Sequence, residues 1–149
     1  MTEQTVLQIC DQIFHKLPIS IERNNVGLAG YVYTILFDHE KYVLKLADDR
    51  NLICGSTYWL EIIKDFDIPI PKVIVKNIKA EPFYFLMSYI PGQDLGVVYN
   101  TLSNIQKKDI AVTLMRFQRE IKKLPLAPGY GSLNSYNDKE NLKIHGKML

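Results

Sequence analysis

Residues 31–47, YVYTILFDHEKYVLKLA, form two apolar runs separated by the polar interval Asp38-His39-Glu40-Lys41. Val, Ile, Tyr, Phe and Leu fit a pleated, half-buried surface, and a short polar break between two such runs predicts a β-hairpin. Lys45 interrupts the second run. Side chains alternate along a strand, so it shares a face with Val43 and Ala47. An ammonium on such a face either reaches out along its aliphatic stem to water or meets an anion that offsets the cost of burial.

The neighbouring segments narrow the choice. Ile19-Ser20-Ile21-Glu22-Arg23 reads as a strand, and Asn24 to Gly30 as a turn-forming loop containing Gly27 and Gly30. Strand, glycine-containing loop, strand, then a strand with an interior lysine is the order of a kinase nucleotide lobe. Glycines in such a loop let backbone N–H groups approach phosphates closely, although a plain hairpin loop has the same composition.

The rest of the chain supplies helices and more strands. Val6, Ile9, Cys10, Ile13, Phe14 and Leu17 recur at helical spacing, with Pro18 as the expected stop. Asp48-Asp49-Arg50-Asn51 offers acids and a cap ahead of a second helix, Leu52 to Phe66, with Trp59, Ile62, Ile63 and Phe66 as its apolar stripe. Asp67-Ile68-Pro69-Ile70-Pro71 must be extended, because each proline disfavours helix in the residue before it. Strands are predicted at Lys72–Lys76 and at Phe83–Ile90; the second is continuously apolar and so suited to the interior of a sheet. Ser103 with Gln106 is a capping-box pattern. It opens a helix running to Leu124 with Ile110, Leu114, Phe117 and Ile121 on one face, and Ala111 and Met115 widening it. Residues 132–149 show no period and are expected to be poorly ordered.

With 149 residues, 47% of them hydrophobic, the chain can bury one core. A net charge of +2 from 18 basic and 16 acidic residues, without a basic block, argues against a nucleic-acid surface. Cys10 and Cys54 lack the spacing of a disulfide framework or zinc site. The N-terminus lacks the pattern of a signal peptide and no apolar run is long enough to cross a membrane, so a cytoplasmic protein without a membrane partner is expected.

Four motifs together resemble the N-terminal part of the aminoglycoside phosphotransferase and choline kinase-like superfamily: KYVLKLADD around Lys45, STYWLEIIKDFDIPIPKVI at 56–74, FLMSYIPGQDL at 85–95 and LPLAPGYGSL at 124–133. The resemblance spans roughly residues 5–133. It implies an α+β fold: a protein-kinase-like N-lobe at 1–90 with a five-stranded antiparallel sheet and a packed helix, then a hinge and the first helices of an incomplete C-lobe at 91–131. The implied reaction is phosphorylation of a small-molecule hydroxyl by ATP or GTP, with Mg2+ in the full-length family.

Residue by residue, the resemblance makes Lys45 the partner of the α- and β-phosphates and places Val43 over the base. It makes Met87 the residue before the hinge, gives Ser88 and Ile90 the backbone contacts to the purine edge, and puts Gly27 and Gly30 in the phosphate-facing loop. The family holds its lysine with a glutamate on the second helix. Here Glu61 is the acid in the helix body, but it sits about one turn nearer Pro69 than that glutamate, and Thr57 occupies the expected place; Asp48 and Asp49 are possible substitutes. The family's H-G-D-x-x-x-x-N loop, source of its catalytic Asp and metal-binding Asn, has no counterpart: His145-Gly146 is followed by Lys147. No catalytic or metal-binding residue is therefore assigned. The chain reads as a truncated or split kinase completed by a second lobe in trans or by self-association, or else as a non-catalytic binding or regulatory module on the same scaffold.

Overall fold

A computed structural model describes residues 2–24 and 30–125, together with the backbone of 129–130 and 143–144. Helix α1, Glu3–Phe14, starts at Thr2, whose hydroxyl accepts from the Thr5 N–H. It stops earlier than Pro18 would require. His15 takes a left-handed conformation (φ 53°) and donates its N–H to Asp11 O at 2.9 Å, which closes the last turn and leaves Leu17 64% exposed.

The sheet is built from β1 (Ser20–Asn24), β2 (Tyr31–Phe37), β3 (Glu40–Ala47), β4 (Val73–Asn77) and β5 (Phe83–Ser88). Every pairing is antiparallel, in the order β1-β2-β3-β5-β4. The predicted hairpin is present with a tighter turn than its polar interval suggests. Phe37 pairs with Glu40, and Asp38 adopts φ 48°, so Asp38 and His39 alone make the reversal. The apolar run at 83–88 is the interior strand it was expected to be, with Tyr84, Phe85 and Leu86 buried between β3 and β4. Asn77 holds the β4–β5 turn by donating its amide to Ala80 O (2.9 Å) and Pro82 O (3.0 Å).

Alternation along β3 sends its residues to two different cores. Leu44 and Leu46 join Tyr33, Ile35, Phe37, Tyr84 and Leu86 under Val6, Ile9 and Cys10 of α1. On the other face, Ala47 and Phe85 meet Ile53 of α2 (Arg50–Ile62), with Leu60, Val73 and Met87 packed around them. Asp49 caps α2 by accepting from the Asn51 N–H at 2.8 Å. The stripe α2 presents is Ile53, Ser56, Thr57 and Leu60 at helical spacing. Trp59, Ile62 and Ile63 are half-buried instead, and Phe66 lies beyond the helix end. The correction has a geometric cause: the i, i+3, i+4, i+7 series from Ile53 faces the sheet, and the series from Trp59 is rotated away from it.

After β5 come a short helix α3 (Leu95–Val98), a 3₁₀ turn (Tyr99–Thr101) and helix α4 (Asn104–Ile121). The capping box is present in both directions. Gln106 N–H donates to Ser103 Oγ at 3.3 Å, and Ser103 N–H donates to Gln106 Oε1 at 2.9 Å. No residue of α4 is buried. Phe117 packs edge-on against Phe66 and Arg116 reaches Asp67, whereas Leu114 (53%), Met115 (54%) and Ile105 (75%) face outward. Two-residue strands β6 (Gly129–Tyr130) and β7 (Lys143–Ile144) pair antiparallel, a pairing no periodicity announced; the rest of the segment 132–149 lies outside the described residues. No helix among the described residues is long and apolar enough to cross a membrane. The architecture is the kinase-like N-lobe expected from the resemblance, followed by the hinge segment and the first helices beyond it.

Burial of Cys10 in the α1 core, 1% exposed, pushes its thiol up to about 11 from 9.0. The folded state thus binds the proton more tightly than the unfolded chain, so the contribution is fully present below pH 9 and is lost as pH rises toward 11. A shift of this size corresponds to roughly 2 to 3 kcal/mol. Urea titrations between pH 8 and 11 are expected to show this decline, and Cys10→Ala, less stable near neutral pH, is expected to show a shallower one. Burial raises Tyr84 in the same direction and keeps part of the slope in that variant.

Candidate functional site

The α2 face of the sheet is covered unevenly. Helix α2 packs over β3, β5 and β4, and the β2 side of the same face carries only half-buried residues. In register across this face, Val32 stands beside Lys45 and Lys45 beside Phe85; one row along, Thr34 stands beside Val43 and Val43 beside Met87. Phe85 is 2% exposed beneath α2, whereas Val32, Thr34, Val43, Lys45 and Met87 are half-buried. The result is a mostly apolar shelf, open on one side, with one ammonium at the foot of the helix.

Lys45 Nζ donates to Ser56 Oγ at 3.4 Å, and Ser56 Oγ donates in turn to Leu52 O at 2.7 Å. Among the described residues Lys45 makes no ion pair. None of the expected carboxylates meets it: Glu61 pairs with Lys64 on the solvent side of α2, Asp49 caps the helix, and Asp48 is exposed. Hydrogen bonding to Lys64, reinforced by its charge, lowers the Glu61 carboxyl below its ordinary value. Thr57 is buried at 2% and donates to Ile53 O at 2.9 Å, so it does not take the place facing the lysine either. At about 100° per residue, Ser56 and Thr57 point in different directions, and Glu61, five residues on from Ser56, is turned roughly 140° away. Ser56 is the residue the sequence reading missed. Its signal was its place at i+3 in the Ile53, Ser56, Thr57, Leu60 stripe.

The hinge residues continue from the shelf. Ser88 is tied to β4 at both ends: its N–H donates to Lys72 O and its Oγ accepts from Lys72 N–H, both at 2.9 Å. Ile90 has left the ladder and is 40% exposed, and among the described residues its N–H donates to no backbone or side-chain acceptor. Gly27 lies outside the described residues. Gly30 is at φ +80°, and a Cβ there would stand 2.5 Å from Leu46 O, so glycine is required at this position by the approach of β2 to β3. No group of three or more His, Cys, Asp or Glu that could hold a metal ion occurs among the described residues. A separate hollow of about 550 Å³ lies between the end of α2 and β4, floored by Leu60 and Val73 and rimmed by Glu61, Lys64, Asp65 and Lys72. It contains none of the lysine-strand or hinge residues.

Solved structures of similar fold include aminoglycoside phosphotransferases. The streptomycin-ATP-APH(2")-IIa ternary complex aligns with a TM-score of 0.61 at 14% identity, covering 85% of this chain and 42% of that one. ADP-bound APH(2'')-Ib aligns with a TM-score of 0.61 at 17% identity, covering 85% and 41%. A thermostable mutant of APH(4)-Ia, in a ternary complex with AMP-PNP and hygromycin B, aligns at 0.54 and 16% identity, covering 65% and 33%. The chain therefore spans between a third and about two fifths of the length of these proteins. No curated protein sequence matches it. The sequence profile of the phosphotransferase enzyme family APH matches residues 20–143, and the chain belongs to that family.

Proposed function

We propose that this chain is the nucleotide-binding part of an aminoglycoside phosphotransferase-like kinase, with residues 1–90 as the lobe and 91–131 as the hinge and first helices of the second lobe. The observation that carries the reading is the half-buried Lys45 on a mostly apolar shelf that leads to the N–H of Ile90, which has no acceptor among the described residues. Lys45 binds the α- and β-phosphates of ATP or GTP, Val43 roofs the base, Met87 closes the back of the shelf, and the backbone of Ser88 and Ile90 holds the purine edge. The phosphate-facing loop brings Gly27 and ends at Gly30. The complexes of similar enzymes with ATP, ADP and AMP-PNP support nucleotide binding.

Calorimetric titration with ATP and GTP tests the reading. Weak binding to the wild type is expected, because one lobe forms only half of a cleft, with a loss of at least about tenfold in Lys45→Ala, as for a charged hydrogen-bonding group. Equal affinity in the variant, or none in the wild type, overturns the assignment.

A second reading, a binding or regulatory module without catalysis, draws on the neutral partner of Lys45 and on the absence of an H-G-D-x-x-x-x-N motif from the sequence. Both readings leave the outward residues of α4 to be covered. The isolated chain is expected to self-associate and to bind a hydrophobic dye, and addition of a second lobe in trans is expected to reverse both. A monodisperse monomer without dye binding in light scattering favours the self-sufficient module.

A further inference from the structure

Lys45 is held by a hydroxyl at the point where a kinase lobe of this kind has a carboxylate. Ser56 Oγ spends its proton on Leu52 O at 2.7 Å, which fixes the oxygen on the helix surface and turns its lone pairs toward Lys45 Nζ at 3.4 Å. The helix that carries it is anchored by Ile53, fully buried three residues earlier, by Thr57 one residue later, and by the Asp49 cap. The oxygen is thus part of a rigid element. The loop residues 25–29, NVGLA, carry no acid that could take its place.

We infer that Ser56 is the positioning residue for Lys45, standing in for a helix carboxylate with a neutral acceptor; the inference rests on the nucleotide-binding reading for its consequence. A carboxylate would orient the ammonium and also neutralise much of its charge. A hydroxyl orients it and leaves the charge whole for the phosphates. The cost falls on geometry: a neutral hydrogen bond of 3.4 Å restrains a flexible four-carbon stem less firmly than an ion pair does. Ser56 therefore acts on phosphate binding alone and not on the base.

The test compares wild type, Ser56→Ala and Ser56→Thr for binding of ATP and of adenosine, and follows the Lys45 Nζ resonance by NMR on lysine labelled with nitrogen-15. Threonine keeps the hydroxyl, and in a helix it can donate to the i−4 carbonyl as Thr57 does to Ile53 O. Expected is an ammonium signal sheltered from solvent exchange in wild type and Ser56→Thr and absent in Ser56→Ala. ATP affinity is expected to fall about three- to tenfold in Ser56→Ala, the span of one hydrogen bond, with adenosine unchanged and Ser56→Thr restored. Equal loss for ATP and adenosine shows a merely structural role and overturns the inference. So does a Lys45 signal that is the same in Ser56→Ala as in wild type. A sheltered signal that depends on the hydroxyl, in a protein that binds no ATP, upholds the positioning role and overturns the nucleotide reading alone. Cooperative unfolding of Ser56→Thr separates these outcomes from a failure to fold.

Discussion

Offered ATP labelled at the γ-phosphate and a panel of aminoglycosides and amino alcohols, the chain of 149 residues is expected to transfer no phosphate above background. Phosphoryl transfer asks little covalent chemistry of a protein and nearly everything of positioning and charge. The shelf around Lys45 supplies one cation and a surface for a base. Among the described residues it places no carboxylate beside Lys45, since Glu61 pairs with Lys64, Asp49 caps α2 and Asp48 is exposed. A cation that grips the α- and β-phosphates binds ground state and transition state alike and does not by itself accelerate the reaction. Turnover that disappears in Lys45→Ala would show that residues other than those described bring a carboxylate to the γ-phosphate. Transfer appearing only when a polypeptide carrying an H-G-D-x-x-x-x-N motif is added would support the split-kinase reading over the non-catalytic module.

The second large effect is structural. Phe85→Ala is expected to lose about 3 to 5 kcal/mol of stability, which in a domain of marginal stability leaves a large unfolded fraction. Phe85 is among the largest fully enclosed side chains, 2% exposed, and it sits on β5 between Lys45 of β3 and Lys76 of β4. It joins Ile53 of α2 to Ala47 of β3 in a core far smaller than the one under α1. Removing the ring takes away the main apolar contact between α2 and the sheet, so the loss should extend beyond stability to the direction of Ser56. Urea denaturation measures the first part. Exchange of the Lys45 ammonium in the folded fraction measures the second. A cost below about 1 kcal/mol would mean that α2 docks chiefly through other residues.

Much of this protein was readable before its fold was known, and for local reasons. The period of two in YVYTILF and KYVLKLA put Leu44 and Leu46 on one face and Val43 and Lys45 on the other, because alternation is fixed by the strand backbone itself. The Ser103–Gln106 box, the cap at Asp49 and the interior position of 83–88 likewise depend on neighbours in sequence or on composition over a few residues. Where a local signal competed with another, the reading slipped. Pro18 predicts the end of α1, yet a left-handed His15 ends it first, and four residues of polar interval imply a longer turn than Asp38-His39 needs.

The identity of the group facing Lys45 was of another kind. Counting back from Pro69 puts Thr57 in the place of the family's glutamate and leaves Glu61 as the acid of the helix body, and both are on the correct helix. Which side chain meets the lysine depends on the rotation of α2 about its own axis, and a helix turns by about 100° with each residue, so an error of one position moves the group to a different face. That rotation is set by how Ile53, Thr57 and Leu60 bury against Ala47, Phe85 and Val73, residues from three strands up to tens of positions away in the chain. The sequence alone therefore determined that a lysine would stand on the open face of a kinase-like sheet. Only the packing of α2 onto that sheet decided that a serine hydroxyl, and not a carboxylate, stands opposite it.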